Sequence, residues 1–402
     1  MGSPRPGRSR FGTPSVRYAV AAVGVTLTGT VLLLPHSPPS AVRTPPATSA
    51  PVPPAATPSR SVAGWESLFL QHWQSDHTRI YLPLSKSKDS WDYYSLVFGV
   101  DANTSMFRAT GKTEYLDRAL LYVENVVASA RPSNSFATSE FHDSYLGWVS
   151  QRADVKGEEV PLFESFLWRY VTDLLWTIKT SPTVAGNPAY RSRYDRLLQF
   201  TEKNMWDKWY SRGASPHMYR VNTHLASHWA FIATQIAQLT ADPIRRGQAQ
   251  TVANNIAHKM PAYGGASLRG QLRLGTDAPG AYFWSATWNS LQDDEDVDHA
   301  NGVIAYVVAA YGMKREWTSA DIAAFTKTLT SVIWRPNGTY ALNVGGSGKG
   351  DGTIFDGFMK LGRYDGALQR RLESFTGSIL DNRGGVSDFY AQGALNAKFL
   401  GR

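Results

Sequence analysis

The 402-residue chain has no cysteine. That excludes disulfides, thiolate metal sites, a cysteine nucleophile and a lipid-modified cysteine anchor. Acidic residues are also missing before Glu66, a stretch that holds six arginines: Arg5, Arg8, Arg10, Arg17, Arg43 and Arg60. The formal charge of +8 comes from 41 basic and 33 acidic residues. Removing those six arginines leaves 35 bases against 33 acids, or +2. The excess belongs to the leader, so composition gives no support to nucleic-acid binding. Strand signals are scarce. The segments ASLRGQLRLG and GTYALNVGG are the best of them, and both read as loops or small hairpins.

Residues 1–35 combine a basic start with an apolar run of about 17 residues after Arg17, a length shared by signal peptides and short membrane anchors. Arginines ahead of such a run stay cytoplasmic, which places the remainder outside the cell, secreted or tethered. Residues 36–63 are rich in Pro, Ala, Ser and Thr with no helical or strand period, so they read as a disordered linker. Residues 64–402 form the folded domain, and any membrane contact is confined to the leader.

From Trp65 onward the periodicity is helical nearly throughout. YYSLVFGVDANTSMFRATG is followed by TEYLDRALLYVENVVASA, with Gly111 as the stop between them. Similar pairs occur at HLASHWAFIATQIAQLTADPIRRGQAQTVANNIAHKM, at HANGVIAYVVAAYGMKREWTSADIAAFTKTLTSVI and at TIFDGFMKLGRYDGALQRRLESFTGSI, with a weaker one over Pro161–Met205. The first helix of each pair is apolar nearly all round and the second is two-faced. A helix apolar all round is buried. The pattern therefore implies inner and outer layers: an all-α, incomplete or closed (α/α) toroid of about five to seven hairpins.

The stretch that carries most chemistry runs from Pro216 to Ala230. Asn222 is placed as a helix N-cap whose side chain accepts a backbone N–H. His224 and His228 are four apart and share a helix face, ahead of Trp229. The most acidic run is Asp293-Asp294-Glu295-Asp296-Val297-Asp298-His299. It fits a dipole-favoured first turn, a carboxylate group orienting His299 and sugar hydroxyls, or a Ca²⁺ or Mn²⁺ site at Glu295, Asp296 and His299. We expect no metal and no cofactor. Glu164 and Arg169, five apart, fit a structural pair or groove residues, and Asp356 opens another inner helix as a sugar contact. Tyr282, in the Gly- and aromatic-rich GAYFWSATW, is the favoured tyrosine; Tyr94, Tyr219 and Tyr340 are alternatives.

Several of these phrases resemble a known class. DANTSMFRATGKTEYLDRAL is similar to the first hairpin of α/α-toroid proteins that act on polysaccharides. YLGW followed by GEEVPLFESFLWR is similar to a segment of alginate- and glucuronan-lyase-like toroids. Asn222-Thr223-His224 followed by Trp229 looks like the Asn-His helix start of the alginate lyase group, with a threonine inserted. Glu295-Asp296 followed by His299 resembles their later E-D-x-x-H-(A/G)-N start. The resemblance implies an exported polysaccharide lyase that cleaves a uronic-acid glycan by β-elimination. Asn222 and His224 would neutralise the sugar carboxylate, and His224, His228, His299 and Tyr282 would supply base and acid. Glu164, Arg169, Trp229, Glu295, Asp296 and Asp356 would contact substrate. The partner implied is an acidic polysaccharide, met by a monomer or homodimer. Two other readings stand beside it: a glycoside hydrolase on the same toroid using paired carboxylates, and a non-catalytic cell-wall glycan-binding protein with the 13 Trp and 19 Tyr as platforms.

Overall fold

The computed structural model describes residues 59–275, 278–290, 294–335, 337–352, 354, 356–375 and 385–402. The leader and most of the linker lie outside these residues. Among the described residues, no helix is long and apolar enough to cross a membrane.

The chain builds helix pairs in order. Helix α1 (Val62–Asp76) precedes the first pair, α2 (Tyr93–Thr110) with α3 (Thr113–Ser129). Gly111 ends α2 in a left-handed conformation, φ 78°, at a position where a side chain would be strained. Next come α4 (Pro161–Thr180) with α5 (Pro188–Phe200), α6 (Thr223–Leu239) with α7 (Pro243–His258), and α8 (Val297–Gly312) with α9 (Ser319–Lys327). Start signals are well placed: Pro stands in the first turn of α4, α5 and α7, Asp242 caps α7, and Thr318 with Asp321 forms a capping box on α9. The last inner pair departs from expectation. Its inner member is a short 3-10 segment, Phe358–Arg363, ahead of α10 (Gly366–Glu373), where the sequence suggests a full helix. Helix α11 (Gly385–Phe399) ends the fold.

Neighbour relations close a ring. Helix α2 packs on α4, α4 on α6, and α6 on α8. The ring continues from α8 to the 3-10 segment, from there to α11, and from α11 back to α2. Outside this inner circle lie α3, α5, α7, α9 and α10, each packed on its partner. Helix α1 covers α11, so the two ends of the domain complete the sixth pair. The fold is a closed (α/α) toroid. Strands are reduced to two-residue pairs, Arg131–Pro132 with Leu146–Gly147 and Arg273–Leu274 with Tyr282–Phe283. The second of these uses the ASLRGQLRLG segment as one arm.

The inner helices run parallel. Tyr94 at the start of α2 stacks on Phe166 near the start of α4, with centroids 4.3 Å apart. His224 in the first turn of α6 stacks on His299 in the first turn of α8. One face of the ring therefore gathers helix N-termini and their positive dipole ends. The ring's interior is polar below that face. Arg169 donates to Asp356 (2.5 Å), Tyr170 donates to Asp356 (3.0 Å), and Lys360 donates to Tyr170 (2.8 Å) and Asp101 (2.5 Å). Each of these charges is buried and paired, the condition for tolerating ions away from water.

Ring closure depends on close contact between α1 and α11. Gly393 faces Trp65 so tightly that an added Cβ would lie 2.6 Å from the indole. Gly393→Ala is expected to lower stability by about 1–3 kcal/mol, because overpacking forces a bulky neighbour off its rotamer. Urea unfolding of the two proteins checks this; equal midpoints would show that the terminal pair yields freely.

Candidate active site

Two helix starts, 222–228 and 295–299, meet on the N-terminal face. The loop between them does much of the placing. Asn222 bridges to Thr287, the Thr223 amide donates to the Ala286 carbonyl (2.9 Å), and the Thr223 hydroxyl donates to the Ser285 carbonyl (2.7 Å). The Glu295 amide donates to the Trp284 carbonyl (3.1 Å), and Val344 donates to the Glu295 carbonyl (2.9 Å).

Asn222 is the N-cap residue of α6 by backbone geometry, φ −87° and ψ 137°, yet its side chain makes no capping hydrogen bond. The orphan amide is served from elsewhere. Glu295 Oε1 accepts from the His224 backbone N–H (3.3 Å) and lies 2.7 Å from His224 Nδ1. Its other oxygen accepts from Trp284 Nε1 at 2.5 Å. Glu295 is fully buried. This leaves the Asn222 side-chain amide without a capping role, on a half-exposed residue two positions before His224.

His224 and His299 stack with centroids 4.2 Å apart. Asp296 caps α8 by accepting from the His299 amide (3.0 Å), and its other oxygen lies 2.6 Å from His299 Nδ1. His299 stays the most open of the three imidazoles, its side chain 57% exposed. His228 lies one turn below His224, centroids 6.2 Å apart, and touches Phe166 edge-on. It is 2% exposed, and Nδ1 has no partner. Gly302 makes its room: a Cβ there would sit 2.9 Å from His228 Nε2. Arg169 lies over the Phe166 ring (4.3 Å); Nη1 of Arg169 and Oδ1 of Asp356 are buried without partners.

The titration properties diverge. Burial holds His224 and His228 well below the usual imidazole value, with the charges of His299 and Arg169 adding to the effect. His299 moves the other way, raised by its hydrogen bond to Asp296. Burial pushes the Glu295 carboxyl up to about 8. Burial also acts to raise Asp296, but the hydrogen bonds from His299, with the charges of His299 and His224, together outweigh it and hold that carboxyl low. A neutral imidazole and a readily charged one thus lie face to face. When Glu295 is ionised, His224 Nδ1 carries the proton and Nε2 is left as a base. When Glu295 is protonated, it donates to Nδ1 and Nε2 becomes the donor.

The remaining candidates lie elsewhere. The Tyr282 hydroxyl donates to Asp321 (3.2 Å) and its ring meets Phe325, so it is engaged away from the imidazoles. Glu164 is fully buried and accepts from Lys208 (2.8 and 2.7 Å) and Trp209 (2.7 Å); it neither pairs with Arg169 nor reaches an open groove. Trp229 is a core residue, fully buried. Asp356 is buried beneath the site as the partner of Arg169. Asp293 lies outside the described residues. Among the described residues, no three His, Asp or Glu side chains are placed to hold a metal ion; Glu295 and Asp296 turn to different histidines. The structure adds four residues that the sequence reading did not single out: Trp284, Phe166, Gly302 and Arg220. A glycine directly after a motif asparagine and three residues after a motif histidine is a weak signal, and only a packing partner reveals its role.

No protein-family model matches the chain, and no curated protein does. Two solved structures are similar in fold. One is an inactive variant of the alpha-1,6-mannanase GH76A of Salegentibacter sp. HEL1_6 with alpha-1,6-mannotetrose, at 12% identity and TM-score 0.44 over 84% of this chain and 99% of that one. The other is a polysaccharide lyase, at 13% identity and TM-score 0.45 over 85% of this chain and 98% of that one. At such values neither likeness bears on the chemistry of this chain.

The raised Glu295 pKa has a stability consequence. In the unfolded chain a glutamate titrates near 4.3. The native state therefore holds a proton that the unfolded state releases, and stability falls as pH rises from about 4 to about 8. The lowered histidines act in the opposite sense below about 6.5. Comparing wild type with Glu295→Gln by urea unfolding at pH 6.5 and 8.5 isolates the carboxyl. Wild type is expected to lose stability relative to the variant at the higher pH; parallel changes would place the titration elsewhere.

Proposed function

We propose that this protein is a polysaccharide lyase that cleaves a uronic-acid-containing glycan by β-elimination. One observation carries the reading: three imidazoles, an uncommitted amide and a buried arginine gather where the inner helices begin. Of the carboxylates suited to hydrolysis, Glu164, Glu295 and Asp356 are buried and held by protein donors, while Asp296, its side chain 37% exposed, is engaged by His299. A hydrolase needs two carboxyl groups facing the glycosidic bond from opposite sides. An eliminase needs donors for a developing enolate and a base and acid with separated pKa values.

In this reading a uronate ring lies over the imidazoles. The Asn222 amide donates to its C6 carboxylate, and the field of Arg169 and of the helix N-termini stabilises the charge that builds there. His224 Nε2 removes the proton from C5. The electron pair forms the C4–C5 double bond and the C4–O4 bond breaks. His299, the imidazole held charged by Asp296, gives its proton to O4. His228 packs beneath His224 and fixes its ring. Glu295 sets the tautomer of His224, and Trp284 holds Glu295. Action on glycans outside the cell fits the leader and linker read from the sequence.

The test is spectroscopic. Elimination leaves an unsaturated sugar that absorbs in the far ultraviolet, while hydrolysis yields reducing ends without it. Alginate, glucuronan and hyaluronan are the substrates to try. His224→Ala is expected to lower turnover at least about a hundredfold, the usual worth of a positioned base, with the melting temperature within a few degrees of wild type. New reducing ends without absorbance would move the protein to the hydrolases. Unfolding of the variant would make His224 structural.

The base form appears as the Glu295–His224 pair loses its proton. Activity is therefore expected to rise with pH through about 8 and to fall again once His299 is neutral. A pH–rate profile flat across this range would remove the pair from the chemical step.

A further inference from the structure

Two residues before Asn222, on the segment that leads into α6, Arg220 is a cation without a counter-charge among the described residues. Its side chain is half-buried, and Nη1 donates a hydrogen bond to the Pro216 carbonyl (3.1 Å). It has no carboxylate partner among the described residues. The titratable groups that act on its charge are the phenols of Tyr263 and Tyr94, and burial lowers its pKa. Leaving a guanidinium partly out of water with no anion costs free energy, which a bound anion would offset.

Its position is fixed. The Arg220 carbonyl accepts from Trp288 Nε1 (2.6 Å), in the loop that also carries Trp284. Tyr263 has φ 55°, a left-handed conformation rare for an aromatic residue, and Asn289, with φ 62°, donates its side-chain amide to the Tyr263 carbonyl (2.7 Å). Such outliers persist where surrounding structure holds them, often at ligand sites.

Across the same face an aromatic ladder leads to the imidazoles. Trp91 and Tyr94 lie with centroids 4.7 Å apart, Tyr94 stacks on Phe166 at 4.3 Å and 10°, and Phe166 meets His228 at 5.2 Å. Trp91, Tyr94 and Phe166 are each partly exposed. Rings stacked in line, with Arg152 over Trp91 and Arg169 over Phe166, turn their apolar edges to the face for sugar C–H groups, and a guanidinium fork matches a carboxylate.

We propose that Arg220, with Tyr263 and the Trp91–Tyr94–Phe166 ladder, forms a second sugar subsite whose guanidinium takes the carboxylate of the acidic sugar next to the one being cleaved. This rests on the lyase reading for its placement beside the cleavage point. It makes the protein selective for consecutive uronates over glycans in which acidic and neutral sugars alternate.

Binding separates this subsite from the chemistry. Tetrasaccharides from alginate, glucuronan and hyaluronan, and the same sugars with carboxyls reduced to alcohols, are titrated calorimetrically into full-chain protein carrying His224→Ala to prevent turnover. An alginate or glucuronan tetrasaccharide is expected to bind more tightly than its reduced form. Arg220→Gln is expected to weaken the acidic ligand at least tenfold and the reduced one less than twofold. Trp91→Ala is expected to weaken both. Equal loss for acidic and reduced ligands in Arg220→Gln, no loss at all, or no binding of any acidic tetrasaccharide overturns the proposal. Should Arg220→Gln not fold, Arg220→Lys, which keeps the charge and loses the fork, gives the same comparison. If Arg220-dependent binding is present while wild type yields no unsaturated sugar, the lyase reading fails and the acidic subsite stands. If unsaturated sugar forms and the variant binds normally, the subsite alone fails.

Discussion

The burial of Glu295 is the constraint on which this face of the molecule depends. A carboxyl group with no access to water must find donors. It finds the His224 amide, His224 Nδ1 and Trp284 Nε1, on two separate elements. Those contacts tie the start of α6 to the start of α8 and pin the loop between them. They also replace the capping bond that Asn222 would otherwise make, which frees its amide. A single buried carboxyl thus joins two inner helices, sets a tautomer and releases a side chain for another task.

The closed ring gives that arrangement its electrostatic setting. Parallel inner helices bring their N-termini to one face, where aligned peptide dipoles favour negative charge. The groups placed there continue the trend: Arg169 over the Phe166 ring, Arg220 just ahead of α6, and an imidazole whose pKa is raised by its hydrogen bond to Asp296. The acids of the same region are turned inward or paired. Deeper in the ring the same physics appears in reverse, since Lys360, Asp101, Arg169 and Asp356 neutralise one another through Tyr170.

The acidic residues differ in how they are held. Glu164 is enclosed by Lys208 and Trp209 and Asp356 by Arg169 and Tyr170, whereas Asp296 stays partly open beside His299. Tyr282 illustrates the same point from the other side. Its loop is near the site in sequence, but strand pairing with Arg273–Leu274 and a hydrogen bond to Asp321 turn it toward α9. Near a site in sequence is not near it in direction.

The helical layers were legible in the sequence because burial on nearly all sides leaves a chemical trace: the helix from Tyr93 to Thr110 and the one from Thr223 to Leu239 are buried around most of their girth and mainly apolar. Gly111 marked a stop because its backbone conformation suits glycine alone. The pairing of His224 with His228 followed from helical spacing, and the acidic start of α8 from the helix dipole, while the cap role of Asp296 came only with the structure. What tertiary structure decided was contact between distant segments. Periodicity states which face is buried and is silent on what covers it, so the replacement of the Asn222 cap by Glu295, the room Gly302 makes for His228, the inward turn of Glu164 and the isolation of Arg220 all depend on how the ring closes. Local propensity fixed the helices; the partner of each polar side chain was settled by which helix starts the closed ring set side by side.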